Sequence, residues 1–145
     1  MNSEDEWYNA TYHQHAVQGG DSDDYWLYPT SNNSVDTTAQ ANFNNVIGNT
    51  TPVGSYAANY YGTFDMGGNV WEWNGTILVD DYSLPRGASF EPGDYSLFLQ
   101  ADYRDGSLRP ADEYLSAGFR VVLVPGSSSV ALLAIGGLWA LRRRR

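Results

Sequence analysis

The feature that most limits what this chain can fold into is a stretch from Gly19 to Asn59 dominated by Asp, Asn, Ser, Thr and Gly and almost free of hydrophobic periodicity. It is broken only by Tyr25-Trp-Leu-Tyr-Pro29 and Thr51-Pro-Val-Gly-Ser-Tyr56. Such composition favours turns over ladders, because Gly, Asn and Asp tolerate left-handed backbone and hydrogen-bond their own main chain. The chain nevertheless carries 11 Tyr, 5 Trp and 5 Phe, many of them in this irregular sequence. Loops pinned by large side chains are therefore expected, with little regular structure. The 145 residues allow one domain, with about 124 of them before the composition changes.

Ser3 followed by Glu6 reads as a capping box, opening a short helix that runs through about His13. Short strands are expected at Val70 to Trp73, Arg86 to Phe90 and Gly118 to Val124, the last apolar enough to be buried.

All 17 acidic residues precede Pro125, where only four of the eight basic residues lie, so the body carries −13. A surface of that sign repels phosphate backbones, which removes nucleic acid from the partners. It suits either solubility or the binding of divalent cations, and charge alone does not separate the two. The absence of cysteine excludes disulfides, thiolate metal sites and cysteine nucleophiles together.

After Val124 the chain changes character: residues 124–129 form a small-residue linker, 130–141 an apolar run, and 142–145 four arginines. Twelve apolar residues are short beside the roughly 20 of a spanning helix, unless flanking residues are drawn in and the arginines snorkel. Arginines of this kind stay cytoplasmic, placing the body outside. This arrangement resembles a PEP-CTERM sorting signal, which implies processing by an exosortase and a place at the cell envelope or outside the cell. The Pro-Glu-Pro signature of that signal is here Pro125-Gly-Ser127. The N-terminus, Met1-Asn-Ser-Glu-Asp-Glu-Trp-Tyr8, has no basic or apolar export segment, so the reading frame is expected to begin upstream.

In the segment Asp65-Met-Gly-Gly-Asn-Val-Trp-Glu-Trp73, Asp65 and Glu72 offer carboxylates and the carbonyls near Gly68 and Val70 offer neutral oxygens. That is the mixed hard-oxygen set calcium prefers. The same residues read equally as Trp71 and Trp73 filling a core while the acids make local hydrogen bonds.

Ser3-Glu-Asp-Glu-Trp-Tyr8, Tyr28-Pro-Thr30, Ala41-Asn-Phe43, Thr51-Pro-Val-Gly-Ser55, Tyr61-Gly62, Asp65 to Trp73, Arg86-Gly-Ala-Ser-Phe90 and Gly118-Phe-Arg-Val-Val122 follow one another in order. In that order they resemble the C-terminal half of the formylglycine-generating enzymes, or sulfatase-modifying factors, over about residues 3 to 123. The resemblance implies an α+β, irregular, strand-poor fold related to C-type lectins. It also implies that the half which completes the domain lies elsewhere, and the apolar tail adds a short C-terminal transmembrane helix to this fold. Asp65, Gly68, Val70 and Glu72 match a structural calcium site of the family. A second such site would begin at Asn42 and Phe43, with Asn45 and Ile47 as further candidates.

The resemblance also excludes the family's chemistry here. Pro92 and Leu97 stand where two catalytic cysteines would fall. Neither side chain can ligate copper or exchange a disulfide, so no formylglycine-generating activity and no copper are expected. The reading that follows is a non-catalytic, calcium-stabilised, lectin-like binding module at the cell envelope, with Tyr95, Phe98, Tyr103 and Arg104 as the surface for a glycan or peptide. The alternative is part of an iron-dependent, oxygenase-type enzyme of the same superfamily whose metal site lies in the other half.

Other candidates are weaker. His13 and His15 alternate, so on extended backbone they share a face and could hold a metal, although two histidines in a polar stretch are as a rule solvated. Asp21-Ser-Asp-Asp24 reads as a solvated turn, lacking the glycine and glutamate of an EF-hand. Asp80 with Asp81, and Asp102 with Asp105, are paired acids such as glycoside hydrolysis uses, but such pairs arise by chance in so acidic a chain. Arg104, Arg109 and Arg120 are expected in ion pairs, with Arg120 the most buried.

Overall fold

A computed structural model of the chain describes residues 3–35, 39–76, 82–93, 95–104 and 108–121. The apolar run at 130–141 and the arginines after it lie outside these residues, as do Asp80, Asp81, Asp105 and the last three residues of the strand expected up to Val124. Among the described residues no helix is long and apolar enough to cross a membrane.

Regular structure is as sparse as the composition requires. Helix α1, Glu4–Tyr12, begins at the expected capping box: Ser3 Oγ accepts from Glu6 N while the Glu6 carboxylate accepts from Ser3 N at 2.8 Å. It buries Trp7, Thr11 and Tyr12, spaced so that one face turns inward. Among the described residues, 3-10 turns follow at Ala16–Gln18 and Ser96–Leu99, with two three-residue strands, β1 (Trp71–Trp73) and β2 (Ala117–Phe119). The strands pair in parallel, Glu72 opposite Gly118. Arg86 to Phe90 is not a strand. Only Arg86 bridges β1, at Glu72, because Gly87 and Ala88 turn into left-handed backbone at φ 92° and 60°.

Two aromatic cores replace a sheet-based one. Tyr28, Ala41, Phe43, Ala88 and Leu99 form the first, and Trp7, Tyr12, Met66 and Ala101 the second. Among the described residues seven non-glycine positions have positive φ, including Asp24, Asn44, Asn45, Asp65 and Asn69. Asn and Asp adopt this conformation at least cost among L-residues, which is how such loops are held without ladders. Gly68 is obligatory on two grounds: its φ is 79°, and a Cβ there would stand 2.4 Å from the Asn42 carbonyl oxygen.

Candidate functional site

Strand β1 presents its middle residue inward. Glu72 is 5% exposed, while Trp71 and Trp73 on either side are only half-buried, the reverse of a tryptophan-filled core. The Glu72 carboxylate is met from distant parts of the chain. Trp7 Nε1 donates to Oε2 at 2.7 Å, Arg120 Nε donates to both oxygens at 2.6 and 2.7 Å, and Arg120 Nη2 reaches Oε1 at 2.5 Å. The same Nη2 donates to the Asp65 carbonyl at 2.6 Å. These are partners across 48 and 65 residues, not local hydrogen bonds. Arg120 is thus paired and structural, as expected.

The most buried arginine is a different one. Arg86, 2% exposed, lies 5.3 Å over the Trp7 ring and 5.8 Å over Tyr12, donates to the Ala101 carbonyl at 2.9 Å and to that of Tyr103, and faces Glu4 Oε1 at 3.5 Å. Burial holds the Arg86 guanidinium below its ordinary pKa and pushes the Tyr12 hydroxyl, which donates to the Leu99 carbonyl, above its own. No local signal marked Arg86, because its burial depends on Glu4 and Trp7 arriving from α1.

Asp65, Val70, Glu72 and Arg120 line one cleft of about 230 Å³, rimmed by the exposed Val53, Phe64 and Phe119. Asp65 Oδ2 accepts from Gly54 N at 2.8 Å, whereas its Oδ1 is buried without a hydrogen-bond partner. An orphaned carboxylate oxygen is a ligand of the kind a hard cation takes. Glu72 fits less simply, since both its oxygens already accept from Arg120 and Trp7. Asp65, Gly68 and Val70 would hold calcium, with Glu72 divided between the ion and Arg120.

The second expected site shows a matching feature. Asn42 Nδ2 donates to the Asn49 carbonyl at 2.8 Å and to Asn69 Oδ1 at 2.9 Å, which leaves Asn42 Oδ1 buried and unpartnered. Phe43 is buried beside it, whereas Asn45 and Ile47 are exposed.

Of the proposed ligand surface, the structure brings three residues together. Phe98 lies 6.3 Å from Tyr95 and 4.8 Å from Tyr103, and Trp71 joins the row 6.0 Å from Phe98. Trp71 belongs to this surface, which its place in the Asp65 to Trp73 motif concealed. Arg104 points elsewhere, 3.4 Å from Glu4 and 5.5 Å over Tyr8. Arg109 lies over the Tyr82 ring at 4.8 Å. Pro92 and Leu97 are both exposed beside the aromatic row.

The family model of the sulfatase-modifying factor enzyme 1-like domain matches residues 1–124. The chain belongs to this family. Among solved structures this sulfatase-modifying factor domain is similar to PvdO from Pseudomonas aeruginosa (TM-score 0.58, 23% identity), covering 82% of this chain and 50% of that one. It is also similar to Treponema denticola variable protein 1 (TM-score 0.57, 21% identity), covering 82% and 45%. The domain thus spans about half the length of these neighbours, and at such identity the likeness concerns the fold. No curated protein matches the chain.

Proposed function

We propose that this sulfatase-modifying factor domain is a non-catalytic, calcium-stabilised, lectin-like module that binds a glycan or peptide at the cell envelope, attached or sorted through its apolar tail. The observation that carries this reading is the row Trp71, Phe98, Tyr95 and Tyr103, beside the positions where Pro92 and Leu97 replace the cysteines of the family. Aromatic faces at a partly exposed surface stack on sugar rings and apolar peptide side chains without needing a reactive group. Arg104, turned toward Glu4 and Tyr8, lies outside this row.

The orphaned oxygens of Asp65 and Asn42 support calcium as the stabilising ion. Calcium that binds the native state raises its stability by mass action, roughly 2.7 kcal/mol at a hundred times Kd. Thermal unfolding of the full chain is expected to shift upward in millimolar calcium, and this shift should vanish in an Asp65→Ala protein. Equal transitions with and without calcium would remove the ion from the reading. Glycan-array and peptide-pulldown binding, weakened by Tyr95→Ala, would support the ligand surface; no binding to any panel would sink it.

A second reading draws on the half-length coverage of the solved neighbours. In it the domain is part of an iron-dependent, oxygenase-type enzyme whose metal ligands lie in the other half. The sequence upstream of Met1 decides this, since such ligands would have to be encoded there.

A further inference from the structure

Beyond the C-terminal end of α1 the backbone stays extended through His13 (φ −75°, ψ 135°) and His15 (φ −54°, ψ 135°). The two imidazoles therefore fall on one side, as their alternation predicts, with ring centroids 4.6 Å apart. The turn Asp21 to Asp24 then folds back on this segment. Gln14 N donates to the Asp24 carbonyl at 2.9 Å, Trp26 N donates to that of Tyr12 at 2.9 Å, and His13 bridges Tyr25. Asp24, in left-handed backbone at φ 67°, is delivered beside the histidines. One ligand atom from each of His13, His15 and Asp24 lies within 4.8 Å of the others.

We propose that His13, His15 and Asp24 form a site for a borderline divalent transition metal of the zinc class, separate from the hard-oxygen set around Asp65. Two imidazoles and one carboxylate are the ligands such ions take, and calcium, which prefers oxygen alone, is disfavoured. Ligands about 2.1 Å from one tetrahedral ion stand roughly 3.4 Å apart, so the cluster needs to contract by up to about 1.4 Å. The His15 and Asp24 side chains are 56% and 42% exposed and have room to make that movement.

What distinguishes this cluster from a chance meeting of polar side chains is its outer shell. His13 Nδ1 is 2.5 Å from the Tyr61 hydroxyl, which fixes the ring, stacked within 15° of Tyr61, and leaves Nε2 open. Asp24 Oδ1 accepts from Ala16 N at 2.6 Å, leaving Oδ2 turned to His15 Nδ1 at 3.3 Å. Metal-ligating histidines and carboxylates are oriented by such partners on their second atoms. A metal here would replace the proton shared by His15 and Asp24, and would clip the turn ending at Asp24 to the end of α1. Three protein ligands leave a fourth position open to water or a small donor.

Equilibrium dialysis of the full chain against zinc, with calcium in excess so that hard-oxygen sites are filled, tests the assignment. One tightly held zinc per chain is expected. His13→Ala and His15→Ala should each weaken its Kd by at least about 100-fold, and Tyr61→Phe by about tenfold, at the lower end of outer-partner effects. Asp65→Ala should leave it unchanged. Cobalt(II) in place of zinc should give visible absorption that disappears in His15→Ala. Near-UV circular dichroism shows whether each variant keeps its fold. Asp24→Asn, which retains the acceptor for Ala16, repeats the test if a histidine variant does not. Wild-type protein that retains no zinc, or equal retention by wild type and His15→Ala, overturns the site.

Discussion

Strand β1 separates two kinds of chemistry one residue apart. On its inner side, Glu72 gathers Trp7 and Arg120 into a buried polar centre in which both carboxylate oxygens accept hydrogen bonds. On its outer side, Trp71 leads into an aromatic row that continues through Phe98 to Tyr95, with Tyr95 58% exposed. The inner group is committed to holding the molecule together, because Glu72 joins Trp7 of α1 and Arg120 after β2 to one carboxylate. The outer row is partly buried, with Trp71 and Phe98 packed against the first core and Tyr95 exposed at its end. A chain with so little regular structure thus relies on long-range polar contacts where a sheet would otherwise bind its parts together.

Substitution on the inner side tests this division most severely. Glu72→Ala leaves Trp7 Nε1 without its acceptor and Arg120 with only the Asp65 carbonyl, and breaking a largely buried ion pair in this way costs up to roughly 3–5 kcal/mol. Against a typical total of about 5–15 kcal/mol, chemical denaturation should show a protein near the edge of unfolding. A loss below about 1 kcal/mol would mean that the centre is not what joins α1, β1 and the segment after β2.

The cap of α1 lies between the two extremes. Ser3→Ala should lower stability by about 1 kcal/mol in the same measurement. Hydrogen bonds from Ser3, chiefly its backbone N–H, hold the Glu6 carboxyl below the usual range. A depressed folded pKa contributes stability above the unfolded value and loses it as pH falls through the folded one. The wild type should therefore lose part of its stability on acidification below the ordinary carboxylate range, and Ser3→Ala should lose less. Parallel acid titrations of the two proteins would show it.

The smallest effect on stability belongs to the outer side. Tyr95→Ala should change the unfolding free energy by no more than about 0.5 kcal/mol, as exposed substitutions generally do, while reducing ligand capture. A large destabilisation would move Tyr95 to the inner category and remove it from the recognition surface.

Legibility in the sequence follows the range of the interactions. The capping box of α1, the β1 segment and the scarcity of strands were readable because each rests on neighbours within a few residues. Arg86 to Phe90 looked like a strand because its residue types allow one, but the left-handed turn at Gly87 and Ala88 answers to Gly68, whose N–H donates to the Gly87 carbonyl at 2.6 Å. Arg86 as the buried cation and Trp71 as part of the aromatic row required knowing what α1 and the second 3-10 turn bring to them. The histidine pair was visible as an alternation. Its third member was not, since Asp24 sits in a stretch that reads as a solvated turn.

The contact between Gly68 and Asn42 carries one more consequence. Asn69 N donates to the Asn42 carbonyl at 2.8 Å, Asn42 Nδ2 donates to Asn69 Oδ1 at 2.9 Å, and no side chain at residue 68 could fit between them. The wall of the Asp65 to Glu72 oxygen set is therefore also the wall of the Asn42 and Phe43 set. An ion that stiffened one would have already ordered the other, so the two sets would fill cooperatively, and a calcium titration of this domain would rise more steeply than independent sites allow.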